Sequence, residues 1–460
     1  MTTSATTPAK KGHPPGLYLL FATEFWERFS YYGMRGLLTL FLTKAAMEGG
    51  LGFSKENAVL LYGYFTGFVY FTPIIGGWLA DNYLGQRRAI LIGGLLMAAG
   101  QFSLASGMGV NFVYLGLLLI IIGNGFFKPN ISTIVGKLYE QGDPRRDSAF
   151  TIFYMGINLG AFLAPLVCGY FAEDLFAEKD ASGKITRFAF EYGFLAAGIG
   201  MVLGQIVFNG LAQKYLGDVG KFVKGTTKTA EETAEANKPL TKEEKDRMSV
   251  IFVIVVLVTF FWAGFEQAGS SLTIYTDEYI NREVFGWIIP TSWFQSVNPL
   301  FIVALAPLTA NLWLSLASKG KDLSIPVKMG IGMILLGIGF FFMVGAVMER
   351  GGENADATIK AHIMWLVATY FFHTIGELML SPIGLSMITK LAPLKLASML
   401  MGVWFLSPFV AQIAGGYIAA YVESMGALTV FGLIAGFVIV AGLFLILISR
   451  KLITMMHGRG

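Results

Sequence analysis

Leu17-Tyr-Leu-Leu-Phe-Ala-Thr-Glu24-Phe-Trp-Glu27-Arg28-Phe-Ser-Tyr31-Tyr32-Gly-Met-Arg35-Gly-Leu-Leu-Thr-Leu-Phe-Leu42 is the segment on which the reading of the chain turns. At about 1.5 Å per residue, a helix of this length outspans the roughly 30 Å hydrocarbon core of a bilayer. Yet it contains two acids and two bases. On a helical wheel Glu24, Glu27, Arg28, Tyr31 and Arg35 fall in one stripe about 100° wide, while the rest is mostly Leu, Phe and Met. An ionisable group inside a bilayer is expensive unless paired or hydrated. The segment therefore calls for partner helices, with the stripe facing a watery cavity between them.

The rest of the chain supplies such partners. Of its 460 residues, 55% are hydrophobic and 14% are charged, against about 25% charged in soluble domains. A mean hydropathy of +0.62 over this length means repeated bilayer-length apolar runs, which leaves an all-α membrane protein as the class that fits. The net charge of +4 needs no nucleic-acid partner. Cys168 is the one cysteine, so no intramolecular disulfide can form, and its place in an apolar run suits a small packing residue. The polar start up to Pro15 lacks a cleavable signal pattern, and the first apolar run is of full span length.

Twelve spans are expected. The first six run near Leu17–Leu42, Ala58–Ala80, Ala89–Ser106, Phe112–Val135, Ala149–Phe171 and Tyr192–Leu216. The second six run near Ser249–Tyr275, Thr291–Leu316, Ile325–Val347, Ala361–Thr389, Ala397–Val422 and Leu428–Ile448. Between the sets lies Gly217–Met248, rich in Lys, Glu, Thr and Ala. Two six-helix bundles, residues 1–216 and 249–460, joined by a polar linker at 217–248, is the layout of a two-lobed transporter. The linker has room for a short surface helix at Thr241, Glu243, Glu244 and Lys245. Lys and Arg gather in alternate loops and in the linker, which places both termini in the cytoplasm.

The loop after the second span reads Gly77-Trp-Leu-Ala-Asp81-Asn-Tyr-Leu-Gly85-Gln-Arg87-Arg88. It resembles the cytoplasmic Gly/Asp/Gly/basic loop of the major facilitator superfamily. Glycine there permits a tight turn and close helix approach, and Asp81 is expected to pair with a base on a neighbouring helix and latch one conformation.

Other spans add isolated charges: Lys128 in Gly-Asn-Gly-Phe-Phe-Lys128-Pro129-Asn130, Glu266 in Phe261-Trp262-Ala-Gly-Phe-Glu266-Gln267, and Glu377 in His373-Thr-Ile-Gly-Glu377. Polar groups suited to a cavity recur in Tyr154-Met-Gly-Ile-Asn158 and Ser296-Val-Asn298-Pro299. The intramembrane tally is three bases against four acids, which implies internal ion pairs and one acid able to hold a proton. Buried ion pairs add little stability but make good switches, because breaking one strands a charge. His373, one turn from Glu377, reads more simply as a packed polar residue. Trp262 and Trp404 are either plain span aromatics or pocket walls.

These residues resemble the proton-dependent oligopeptide transporter family within the major facilitator superfamily. The motif Glu24-x-x-Glu27-Arg28-Phe29-x-Tyr31-Tyr32-Gly33-Met34-Arg35 is highly specific, as is Phe153-Tyr154-x-x-Ile157-Asn158-x-Gly160. Phe261-Trp262-x-x-x-Glu266-Gln267 and Gly376-Glu377-x-x-x-Ser381-Pro382 agree in order and spacing. The resemblance implies a proton-coupled importer of di- and tripeptides that needs no cofactor and works as a monomer. The bacterial inner membrane is suggested by outward loops that lack an N-x-Ser/Thr site. The resemblance implies that Arg35 receives the peptide carboxylate, while Asn158 and Glu377, supported by Asn298, receive the amino end. Tyr31, Tyr32, Tyr70, Tyr154 and Trp404 would line the peptide's pockets. Glu24, Glu27, Arg28 and Lys128 would form the proton-coupling network, with Glu266 a proton site that pairs with Arg35. Many bacterial relatives insert two helices between the halves, for which 217–248 is too short and polar.

Rival readings fare worse. Nitrate-transporting plant relatives generally lose the Glu-x-x-Glu-Arg pattern, and a drug antiporter would not need Asn158 and Glu377 as an ammonium site. An intramembrane enzyme finds no nucleophile motif and no metal site, since His13, His362, His373 and His457 are scattered.

Overall fold

The computed structural model describes residues 12–140, 143, 145–181, 183–221, 239–393 and 396–458. The apolar runs become α1 (Pro15–Thr43), α2 (Lys55–Leu79), α3 (Gln86–Ala105), α4 (Val110–Lys137), α5 (Arg146–Tyr170) and α6 (Phe190–Leu216). After the linker come α7 (Lys242–Phe265), α8 (Ser271–Tyr279), α9 (Val297–Ser318), α10 (Ile325–Glu349), α11 (Ile363–Leu391), α12 (Ala397–Met425) and α13 (Ala427–Met455). Helices α7 and α8 are two parts of one broken span, so twelve spans result. Among the described residues, eleven are long and apolar enough to cross a membrane; α1 has the length, and its charges lower its hydropathy. Among the described residues, three small two-stranded ladders lie in the connecting loops.

Buried apolar side chains form two separate cores. One is built from residues between Leu17 and Leu216 and the other from residues between Val250 and Met456. Each contains the aromatic and branched side chains of a six-span bundle, and no helix intervenes between α6 and α7 among the described residues.

The linker expected at 217–248 is shorter than the composition suggested. Thr241 caps α7: its Oγ1 accepts from Glu244 N (3.2 Å), while Glu244 Oε2 accepts from Thr241 N (2.8 Å). This reciprocal cap satisfies two otherwise unpaired helix-end donors. The charged residues from Lys242 on therefore belong to the start of α7, not to a separate surface helix. Residues 222–238 lie outside the described residues.

The break in the seventh span positions the site. The chain tightens into a 3-10 turn over Glu266–Gly269 and restarts at Ser271. Side chains from elsewhere take the carbonyls released there. Thr39 Oγ1 donates to Gly269 O (2.6 Å), and Thr273 Oγ1 (2.8 Å) and Gln295 Nε2 both donate to Ala268 O. Non-helical backbone at membrane depth is tolerated when it is satisfied in this way. A Cβ on Gly269 would stand 1.7 Å from Tyr62 Oη, so only glycine lets α2 approach the break.

The halves meet along α2 with α12 and along α5 with α9. Thr66 Oγ1 donates to Gln412 Oε1 (2.8 Å), and the Tyr64 and Tyr417 hydroxyls are 2.7 Å apart. At the end of the bundle that carries Thr43, further pairs close the seam. Lys44 pairs with Asp277, and Lys55 with Glu278 (2.8 Å) and Glu423 (3.5 Å).

Candidate functional site

A cavity of about 170 Å³ lies between the halves. The first half contributes Tyr32, Arg35, Tyr70, Tyr154 and Asn158; the second contributes Trp262, Glu266, Gln295, Asn298, His373 and Glu377. Helix geometry explains the first set, because Tyr32 and Arg35 are three apart on α1, and Tyr154 and Asn158 four apart on α5.

Arg35 is the pivot of this cavity. It bonds Glu266 across the two halves, and its Nε donates to Tyr62 Oη at 2.6 Å. Arg35 is 9% exposed and Glu266 7%, so little water screens the pair. The Arg35 guanidinium also lies 5.8 Å from the ring centres of Tyr32 and Tyr62, within cation–π range.

Glu377 is held differently. Its Oε2 accepts from Asn298 Nδ2 (2.9 Å), which also donates to Thr374 Oγ1 (3.0 Å). These partners are neutral, so Glu377 presents an acidic group to the cavity while Arg35 is already engaged. Asn158 Nδ2 donates back to Tyr154 O (3.0 Å). His373 packs against Phe340, with ring centres 4.7 Å apart, and also forms part of the cavity wall.

The rest of the α1 stripe corrects the expectation of a watery face. Glu24, Glu27, Arg28 and Tyr31 are all buried and do not line this cavity. Arg28 makes two bonds to Glu27, one of them from Nη2 to Oε1 at 2.7 Å, and its Nε lies 3.2 Å from Glu24 Oε1. Asn124 Nδ2 adds a bond to Glu27 Oε1 (3.3 Å). Mutual pairing and hydrogen bonding therefore do what hydration was expected to do. Glu24 Oε2 has no protein partner among the described residues.

Lys128 forms no ion pair within 4.0 Å among the described residues and sits over the Tyr70 ring, 4.5 Å from its centre. Backbone contact brings α4 and α2 together here: a Cβ on Gly76 would come within 2.1 Å of Gly125 O. Lys128 thus lies over Tyr70 in the cavity wall, one helical turn from Asn124, which bonds Glu27 of the buried α1 cluster.

Two proposed pocket aromatics lie elsewhere. Tyr31 stacks on Phe65 (6.5 Å between ring centres) and meets Tyr32 edge to face (5.3 Å). Trp404, 7% exposed, packs in the second core, where Gly384 gives its ring room. The expected latch at Asp81 also differs. Asp81 accepts from Gln86 Nε2 (2.7 Å), and Gln86 in turn accepts from Lys137 (2.8 Å), so an amide stands between acid and base. Arg87 donates to Ala212 O (3.0 Å) and Gly217 O (2.7 Å), closing the end of α6. Arg88 is exposed. In the loop before α5, side-chain bonds from Arg145, helped by its backbone N–H, hold the Asp143 carboxyl down at about 2.

Sequence reasoning missed Tyr62, which bonds Arg35, and Gln295 and Tyr370, which line the cavity. Tyr62 and Tyr70 are two turns apart on α2, a weak hint that both face α1. Nothing local marks Gln295, whose partner Ala268 lies on another span.

Residues 87–215 and 213–434 match the family model described as the POT family. The uncharacterized transporter YclF of Bacillus subtilis (strain 168) is 37% identical, over 97% of this chain and 96% of its own. The peptide transporter YePEPT of Yersinia enterocolitica subsp. palearctica serotype O:3 (strain YE-P4) is 34% identical, over 92% of this chain and 91% of its own. A crystal structure of a peptide transporter POT in complex with sulfate superposes with a TM-score of 0.87 at 36% identity, covering 98% of this chain and 97% of the other.

Proposed function

The chain belongs to the POT family, and from that premise we propose that it is a proton-coupled symporter importing di- and tripeptides by alternating access. The observation that carries the reading is the Arg35–Glu266 bond across the halves, beside a cavity where Glu377 faces neutral donors. A peptide is a zwitterion with fixed end charges and a variable middle. Arg35 suits its carboxylate, since a guanidinium can donate two parallel hydrogen bonds. Glu377, with Asn158 and Asn298, suits its ammonium group. Single amino acids would be too short to engage both halves.

Coupling follows from competition for Arg35. While Glu266 is ionised, it holds Arg35 and the halves stay joined above the cavity. Protonation of Glu266 removes the competing charge and frees Arg35 for peptide. Glu24, Glu27, Arg28 and Lys128 form the route by which the proton is lost. Each proton moved inward supplies roughly 2.3 kcal/mol per 100 mV and about 1.36 kcal/mol per pH unit, enough for accumulation well beyond tenfold.

In this reading the positive loops face the cytoplasm. The Thr43 end then faces outward, and the pairs of Lys44 and Lys55 close it. Both termini lie inside, and a monomer in the bacterial inner membrane suffices. Residues 1–216 and those from α7 onward are the two moving bodies. The test is uptake of labelled alanyl-alanine by proteoliposomes under an inside-negative, inside-alkaline gradient. Accumulation is expected; none would contradict the reading.

A further inference from the structure

At the Thr43 end, the seam between α5 and α9 contains an acid that the transport scheme above does not use. Glu173 lies in the turn Phe171–Leu175 that ends α5 and is 3% exposed. Its Oε2 accepts from Thr291 N at 2.6 Å and its Oε1 from Ser292 N at 3.0 Å. Those amides are the first two of the 3-10 turn Thr291–Ser296 that leads into α9. Such amides have no partner within their own helix, and the residue in the capping position, Pro290, offers no side-chain cap. The cap comes instead from the other half of the molecule.

A carboxylate is well suited to this place. It makes two charge-assisted bonds and lies at the positive end of a helix dipole. The nearby cations are already engaged, since Lys44 and Arg282 both pair with Asp277. Around Glu173 the seam is closely fitted. Trp293 Nε1 donates to Leu166 O (3.0 Å), and a Cβ on Gly169 would stand 1.9 Å from Ser292 Oγ.

We infer that Glu173 acts beside the Lys44 and Lys55 pairs in setting how firmly this end stays closed, by capping the eighth span in trans. The inference rests on the alternating-access reading, in which this seam must part for the cavity to open here. Unlike Glu266, Glu173 does not line the cavity, so no substrate competes for it. It biases the balance between the two states independently of cargo.

The test uses the full chain in sealed vesicles, with Ala161→Cys in the cavity wall and Cys168→Ala to remove the native thiol. A membrane-impermeant maleimide is applied from each side in turn. Glu173→Gln keeps one neutral acceptor oxygen, so one of the two bonds is lost and the other is no longer charge-assisted. Labelling from the Lys44 side should rise about tenfold or more, as the loss of one hydrogen bond to a charged group implies, with no rise from the opposite side. Unchanged labelling from the Lys44 side would overturn the inference. An equal rise from both sides would also overturn it, since that reports loosened packing. The readout needs no peptide. If the parent protein takes up no dipeptide while Glu173→Gln still shifts sidedness, the substrate reading fails and the latch stands.

Discussion

Replacing Glu266 with Gln should separate peptide movement from its driving force. The Arg35–Glu266 bond is buried and joins the halves. Deleting one member of such a pair outright costs about 3–5 kcal/mol, because the remaining charge is stranded. Gln is gentler, since its oxygen can still accept from Arg35, and Tyr62 keeps its own bond to the guanidinium at 2.6 Å. What is lost is the difference between a charged and a neutral acceptor, about 1–2 kcal/mol. That weakens the closed state by about 5- to 30-fold and removes a group that could take up a proton. The assay compares two fluxes of labelled dipeptide in proteoliposomes: accumulation against an imposed proton gradient, and exchange with unlabelled dipeptide at no gradient. Accumulation should fall to the no-gradient level while exchange persists. Accumulation with the parent's pH profile would refute Glu266 as the group whose protonation releases Arg35.

Lys128→Ala should likewise abolish gradient-driven accumulation and spare exchange, because Lys128 sits over Tyr70 and pairs with no carboxylate in reach among the described residues; intact accumulation would remove it from the coupling route. Glu377→Gln should weaken binding of free dipeptides by about tenfold or more, as expected when a charged hydrogen bond is lost. It should change binding of N-acetylated dipeptides little, and an equal loss for both would place the ammonium elsewhere.

The twelve spans were legible because each apolar run is close to or beyond bilayer length, and hydropathy survives even where the helix does not. That is why the break at Glu266–Gly269 went unseen: its carbonyls are satisfied by Thr39 and Gln295, which are remote in sequence. The α1 stripe was legible as a face but not as an environment. Periodicity places Glu24, Glu27, Arg28 and Arg35 together, whereas only the fold distinguishes three that pair among themselves from one that faces a cavity. Trp404 and Tyr31 show the same limit, since an aromatic in a span reads alike whether it packs or lines. Glu173 carried no signal at all. In sequence it is an acid just past an apolar run, and its meaning comes from two backbone amides over a hundred residues away.

The most direct test of proton-coupled peptide import is to watch the proton. Proteoliposomes loaded with a pH-sensitive dye and held inside-negative, at equal pH on both sides, are given external alanyl-alanine. The account predicts acidification of the interior on adding the dipeptide and none on adding alanine. Dipeptide entry with no acidification, or no entry at all, would contradict it.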